Sequence, residues 1–179
     1  MVVVNGRKLQ DAKCRTALDV MRDTPDLSQM AALIPSMSPK LREAFSSHDG
    51  ADFTAFLPTN GALNALKDAL PGDAFGMLMH NGSTLTALQS YSIIPGRRIA
   101  MSDLGRAPLR TALGDAVAPL SATGSTLQGI GSRAAVVKGD LQACHATLHI
   151  VDRVLFPIAM PREALSNAAD KVKSAMTQG

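Results

Sequence analysis

Aromatic residues are scarce in this sequence: they make up 3% of its 179 residues, and tryptophan is absent. A hydrophobic core must therefore be built from aliphatic side chains and the nine methionines. No run approaches the roughly 20 apolar residues that a transmembrane helix needs. Met1–Val4 is also too short for the core of a signal peptide, so we expect any targeting segment to be absent from this chain. Hydrophobic residues at 46% and charged residues at 18% indicate one ordered globular domain.

The basic residues do not indicate a nucleic-acid partner. The net charge is only +3, and arginine clusters locally at Arg97, Arg98, Arg106 and Arg110. No aromatic side chain that could stack on a base lies beside them, so we expect a solvated loop.

The sequence also lacks the arrangements that catalysis or metal binding requires. It contains no serine elbow, P-loop or paired carboxylates. The pattern Gly129-x-Gly131-x-x-Ala134 leads into a strand-like run rather than the helix of a dinucleotide site. His145 and His149 can share one face of a strand, but no third metal ligand is evident, and His48 and His80 lie far from them in sequence. We therefore predict no enzymatic activity, no metal and no obligatory cofactor.

Two β-type apolar runs, Phe53–Pro58 and Ala146–Pro157, dominate what is present, and we interpret them as partners. Each run ends at a proline, which cannot donate a ladder hydrogen bond. The first run passes directly into a predicted helix, because Thr59 and Asn60 can accept hydrogen bonds from the free N–H groups of a first helical turn.

These runs resemble the two signatures of the fasciclin (FAS1) domain. Thr54-Ala-Phe-Leu-Pro-Thr-Asn is similar to the first, and His149-Ile-Val-Asp-Arg-Val-Leu-Phe-Pro to the second. Between them, Tyr91-Ser-Ile-Ile-Pro-Gly resembles the family's tyrosine-histidine segment, with Ser92 where histidine is usual. The resemblance extends from about Ala17 to Pro157 and implies that the polar motif residues are structural. The motif positions are Thr54, Phe56, Pro58, Thr59, Asn60, Tyr91, Pro95, Gly96, His149, Asp152 and Pro157.

Helical patterns precede strand patterns along the chain, which predicts an α+β fold. The resemblance implies a small β-sandwich wrapped by short helices, over residues 1–157. The predicted strands are Leu109–Leu113, Val117–Ser121, Thr126–Ile130, Ala134–Lys138 and Thr147–Val154, with turns at Thr123-Gly124 and Lys138-Gly139-Asp140 among those between them.

Residues 158–179 predict a C-terminal amphipathic helix that begins near Pro161. Its apolar stripe either packs back on the domain or docks on a partner of a larger assembly. The stripe consists of Leu165, Ala168, Ala169, Val172 and Met176.

Two covalent modifications are candidates. Cys14 and Cys144 are either buried free thiols or a disulfide, and the family resemblance favours the disulfide, because many algal and plant members carry cysteines at these places. A disulfide would close a loop of about 130 residues, worth at most ~4–5 kcal/mol in the chain-entropy model. Asn81-Gly82-Ser83 is the one N-glycosylation sequon.

The resemblance implies a non-enzymatic module that binds protein or matrix partners, as in cell adhesion. Some algal members bind carotenoids in an apolar groove beside the early helices, so a lipophilic pigment is the alternative ligand. The groove candidates are Gln29, Met30, Leu33, Ile34 and Met37, although an ordinary core stripe would show the same spacing. We expect a secreted, cell-surface or other oxidising location, with the thylakoid lumen as the alternative.

Overall fold

The structure, a computed structural model, describes residues 14–70, 72–106, 109–112, 121–129 and 133–155. The predicted C-terminal helix and Pro157 lie outside these residues. Six α-helices are found within the described part of the chain: α1 (Ala17–Arg22), α2 (Ser28–Leu33), α3 (Pro39–Ser46), α4 (Asn60–Ala69), α5 (Ala74–His80) and α6 (Gly82–Tyr91). None of these helices is long and apolar enough to cross a bilayer.

Side-chain caps fix where the helices begin. Thr16 and Asp19 form a capping box at α1, in which each side chain accepts from the other residue's backbone N–H. Hydrogen bonding to Thr16 lowers the pKa of Asp19. The side-chain oxygens of Thr59 and Asn81 cap α4 and α6, and each accepts from a backbone N–H three residues further along. The helix predicted after the first signature therefore starts where its sequence indicated.

The six strands form one curled sheet in the order β2-β1-β6-β5-β4-β3. The two signature runs are neighbours in it: β1 and β6 pair in parallel, from Phe53 opposite Ala146 to Pro58 opposite Val151. All other pairings are antiparallel. The strands are β1 (Phe53–Pro58), β2 (Ile93–Pro95), β3 (Ser121–Thr123), β4 (Thr126–Gln128), β5 (Arg133–Gln142) and β6 (Ala146–Val151).

The predicted turn at Lys138-Gly139-Asp140 is wrong, because these residues lie inside β5. The register against β6 shifts between Val136 and Lys138 and again between Lys138 and Leu141, and Asp140 has a φ of 61°. A glycine followed by a residue that tolerates positive φ suits a bulge as well as a turn. The chain reverses instead between Gln142 and Ala146. The turn predicted at Thr123-Gly124 does join β3 to β4, with Gly124 at a φ of 60°.

Strand prediction was less accurate just before β3. Residues 109–112 do not form the predicted strand, although Ala112 N donates to Ile93 O beside β2 (2.8 Å). Most of the predicted strand Val117–Ser121 lies outside the described residues.

The sheet has two buried faces with different chemistry. The helix face, which packs against α1–α6, carries only apolar side chains from β1 and β6: Phe53, Ala55, Leu57, Ala146, Leu148 and Ile150. The opposite face, called the motif face below, carries Thr54, Phe56, Thr147 and His149 together with Val151. Both strands are therefore buried throughout, and the period of two confines their buried polar residues to the motif face.

A disulfide joins Cys14 to Cys144, with Cα atoms 5.0 Å apart. Cys144 N also donates to Arg15 O (2.8 Å), so the start of α1 is held to the β5–β6 connection by covalent and hydrogen bonds. The disulfide interpretation of these cysteines is thus the one that the structure shows.

Candidate functional site

The polar side chains of the two signatures form hydrogen bonds that hold strands and loops of the fold together. Thr54 is fully buried; its hydroxyl donates to Arg97 O and accepts from Ile99 N, both at 2.8 Å. Asp152 Oδ1 accepts from Ala135 N at 2.8 Å, beside the backbone bond from Asp152 N to Ala135 O. These bonds tie β1 to the loop after β2 and β6 to β5.

His149 is fully buried and has a defined hydrogen-bonding pattern. Its Nδ1 accepts from Asp140 N (3.1 Å), so Nε2 carries the proton and donates to Ile99 O (2.7 Å). The ring stacks on Phe56, its register partner in β1, with centroids 5.6 Å apart. Burial lowers the pKa of His149, because the charged ring would lose its hydration, and the Ile99 carbonyl and Asp140 only partly oppose this. The side chain is a neutral structural element with both ring nitrogens in use.

Asn60, the last polar residue of the first signature, holds the loop before α2. Its Oδ1 accepts from Gln29 N (2.9 Å), and its Nδ2 donates to Pro25 O and to Ser28 Oγ. Gln29, a groove candidate, is exposed and donates to Asn64 Oδ1 in the same polar contact.

The tyrosine segment is placed between the helices and the sheet. Tyr91 is fully buried in the motif-face core, and Gly129 lies so close to its ring that a Cβ there would stand 2.5 Å from the Tyr91 oxygen. Pro95 ends β2, and Gly96, at a φ of 81°, donates to Asp52 O (2.7 Å) in the turn that follows.

Arg98 is a structural residue that the sequence analysis missed. Its guanidinium donates to carbonyl oxygens at Cys144, Ala143 and Ala146, and to the Gln142 side chain. It therefore organises the β5–β6 connection from outside. In the sequence, Arg98 is one of two consecutive arginines in a predicted loop, and such a pair is equally typical of a solvated patch.

A pocket lies where the parallel strands β1 and β6 end and the two hydrophobic cores meet. We call it the strand-end pocket; its cavity volume is about 30 Å³, which is room for about two water molecules. Half-buried Leu33, Leu88 and Val154 form its more exposed part. Its lining residues are Met30, Leu33, Leu63, Met79, Leu85, Leu88, Phe56, Pro58, Val151, Val154, Leu155, Gln89 and Ser92.

Gln89 is the unusual member of this lining. It is 3% exposed, and its Nε2 has no hydrogen-bond partner. Sequence reasoning did not single it out, because one glutamine in a helix has no diagnostic spacing. Ser92, where the family's histidine is replaced, lies in the same wall one turn further along.

The groove candidates are divided among three environments. Met30 and Leu33 line the strand-end pocket, Ile34 and Met37 are buried in the helix-face core, and Gln29 is exposed. An apolar site is thus present beside the early helices, but helices α4–α6 and the strand ends supply most of its wall.

Other candidate positions lie elsewhere. Asn81 is half-buried at the start of α6, and its Oδ1 serves as the helix cap. The docking stripe from Leu165 to Met176 lies outside the described residues. Among the residues that the structure does describe, no three His, Cys, Asp or Glu side chains are grouped so that they could hold a metal ion.

Comparison with known proteins supports the motif assignment. The immunogenic protein MPB70 of Mycobacterium bovis and MPT70 of Mycobacterium tuberculosis are each 29% identical to this chain over 138 residues. The match covers 76% of this chain and 66% of theirs, slightly less than two thirds of their length. Among solved structures, a FAS1 domain pair from the insect cell adhesion molecule Fasciclin I has a similar fold. Its TM-score is 0.56 at 17% identity, over 74% of this chain and 46% of that one.

The family model for the fasciclin domain matches residues 25–157, which include all of the signature positions. Fasciclin domain proteins are adhesion-type binding modules and are generally non-enzymatic. The match extends over well more than half of the sequence, and the chain therefore belongs to the fasciclin domain family.

Proposed function

We propose that this domain is a non-enzymatic protein-binding module of the adhesion type, and that the strand-end pocket receives an apolar side chain of its partner. The observation that carries the proposal is the pocket itself, an apolar depression beside a family signature whose polar groups are otherwise occupied. The pocket lies at the carboxyl ends of β1 and β6, and half-buried Leu33, Leu88 and Val154 form its more exposed part.

The size of the pocket favours a side chain over a whole small molecule. Its volume is about 30 Å³, far below the several hundred Å³ of a typical drug-sized site. An inserted aliphatic side chain would lose its contact with water at the centre of an interface, where binding energy concentrates. The exposed rim would then meet the rest of the partner.

An adhesion assay with matched charge variants tests this proposal. Leu33→Asp places a carboxylate at the pocket, whereas Ala32→Asp places one on the exposed side of the same helix, α2. On surfaces coated with equal amounts of folded protein, we expect Leu33→Asp to reduce cell attachment severalfold and Ala32→Asp to match the unmodified protein. Equal attachment to all three proteins would contradict the proposal.

A carotenoid is the second candidate ligand, favoured by the uncharged, methionine-containing wall formed by Met30, Leu33, Met79 and Leu88. A polyene is much longer than the pocket, so α2 would have to move for it to bind. Addition of zeaxanthin to the purified protein tests this candidate: a visible band that co-elutes with the protein and is lost in Leu33→Asp would support it. Ile34→Asp is a poor test, because Ile34 is 1% exposed and its replacement would damage the core. A colourless eluate would exclude the carotenoid and leave the protein partner.

A further inference from the structure

Gln89 provides a hydrogen-bond donor that the fold does not use. Its Nε2 is buried without a partner, and the residue lines the strand-end pocket. The residue is only 3% exposed and lies in the last turn of α6, where Ser92 N donates to its backbone oxygen (2.9 Å). The amide is therefore part of the pocket wall rather than a mobile surface group.

A donor in this position is costly for stability alone. A buried amide without a partner loses its hydration and gains no bond in exchange. Leucine or methionine would fill the same space without this cost. The signature residues Thr54 and His149 are paired. Among the described residues, two buried side-chain atoms lack a partner, Gln89 Nε2 and Thr111 Oγ1. Of these two, Gln89 lines the strand-end pocket, where an acceptor could enter from outside, and Thr111 does not line it.

The pocket wall also restricts the charge of that acceptor. Its lining contains Gln89 and Ser92 as polar residues and no cationic side chain. A carboxylate or phosphate entering this apolar site would lose most of its hydration without a counter-charge. A hydroxyl would also accept from Gln89 Nε2, but its own proton would then need Gln89 Oε1 or Ser92 Oγ as an acceptor. A carbonyl oxygen only accepts, so it needs no partner beyond the Gln89 Nε2 donor.

We infer that the strand-end pocket selects a neutral apolar group bearing a carbonyl oxygen, and that Gln89 Nε2 donates a hydrogen bond to this oxygen. The inference rests on the proposed function and adds the chemistry of the group that is bound. In a protein partner, this group is an apolar side chain with a nearby backbone or side-chain carbonyl. Gln89 is then a specificity determinant of the pocket.

Two small probes of nearly equal shape separate the carbonyl contribution from apolar binding. These probes are 2-butanone and 2-methyl-1-butene, in which a methylene replaces the oxygen. Each is titrated into ¹⁵N-labelled protein, and the dissociation constants are obtained from NMR shifts of the pocket residues. The variants are Gln89→Met, which removes the donor at similar volume, and Gln29→Met, the same change at an exposed glutamine outside the pocket.

The ratio of the two dissociation constants is the decisive quantity, because comparing it between variants cancels the different hydration of the probes. We expect Gln89→Met to weaken ketone binding relative to alkene binding by about tenfold, and Gln29→Met to leave the ratio unchanged. In the unmodified protein, the ketone should shift the Gln89 side-chain N–H signals and the alkene should not. Gln89→Met should also raise Tm, because the unpaired donor is gone.

The possible failures are distinguishable. If both probes bind with a ratio that Gln89→Met does not change, the role of Gln89 is wrong and the pocket remains a binding site. A lower Tm for Gln89→Met with unchanged probe binding would assign Gln89 a structural role and also overturn the inference. If neither probe binds and the Leu33→Asp protein still supports attachment, the proposed function itself fails.

Discussion

The two faces of the central sheet are both buried, but one is held by apolar packing alone and the other also by buried hydrogen bonds. On the helix face, β1 and β6 present only apolar side chains, and packing alone determines the contact. On the motif face, Thr54, Thr147 and His149 are also buried, and hydrogen bonds to neighbouring loops satisfy Thr54 and His149 completely. Adjacent residues of one strand thus belong to two kinds of core.

This difference shows which polar residues hold the fold and which are available for binding. A satisfied buried polar group specifies one arrangement of its loops, since any shift leaves both partners unpaired. The signature residues act in this way. The strand-end pocket lies where the two cores meet, and it contains the unsatisfied Gln89. In this domain, the family motif residues therefore hold in place the strands and loops near the strand-end pocket.

The largest expected effect comes from removing a hydrogen-bonding group on the motif face while keeping its shape. Thr54→Val leaves Arg97 O and Ile99 N without their partner in a buried region, which should lower the free energy of unfolding by about 2–4 kcal/mol. The matched change on the helix face is Ile150→Val, expected to cost about 0.5–1.5 kcal/mol. Urea denaturation of both variants measures the difference. A smaller loss for Thr54→Val than for Ile150→Val would remove the distinction between the faces.

Acidification should weaken the motif face through His149. Because burial lowers the pKa of this ring below its ordinary value of 6.5, the folded state binds fewer protons than the unfolded state. The contribution of His149 is therefore complete above about pH 6.5 and decreases as the pH falls toward the folded pKa, by at most ~1.4 kcal/mol per pH unit.

Denaturation curves between neutral and mildly acidic pH measure this slope. His149→Leu should flatten it, whatever its overall loss of stability, and the exposed His80→Gln should not. Identical slopes for the unmodified and His149→Leu proteins would show that another group is responsible.

The smallest expected change in stability is at the junction of the two cores. Ser92→His introduces the residue that is usual at this position in the family, and the imidazole should occupy the strand-end pocket. Because the cavity of about 30 Å³ takes up only part of the added ring, we expect a loss near the lower end of the roughly 1–3 kcal/mol that overpacking costs. Binding of 2-butanone should nevertheless be lost, while Ser92→Ala should retain it. Retained binding in Ser92→His would place the bound probe elsewhere.

The signature strands and the helix after the first of them could be predicted from the sequence better than the strand-end pocket could. Both signature runs could be recognised as strands because their apolar composition is a local signal, and the predicted cap at Thr59 is local too. Pro58 does end β1, whereas β6 ends at Val151, well before Pro157, and the cap at Asn81 was not predicted.

The error at Gly139 arose because a bulge and a turn use the same residues. In β5, tertiary contacts explain the glycine, because a Cβ at Gly139 would lie 2.9 Å from His149 Nδ1. These contacts cannot be read from the local sequence.

The pocket could not be derived in the same way. Met30 and Leu33 were selected by helical spacing, but Ile34 and Met37 share that spacing and are core residues. The wall is assembled from four helices and the ends of two strands that are far apart in sequence. Whether Gln89 has a partner depends on all of them together, and no window of sequence contains that information.

The disulfide has a mechanical consequence under the proposed adhesive function. When tension is applied to the chain on both sides of the described residues, force enters at Cys14 and crosses directly to Cys144. It continues through β6, which is paired with β1 on one side and β5 on the other. Residues 15–143 lie within the covalent ring and outside this path. The helices that form most of the pocket wall would therefore be shielded from the load, whereas Val151, Val154 and Leu155 on the strand side of the pocket lie on the loaded path.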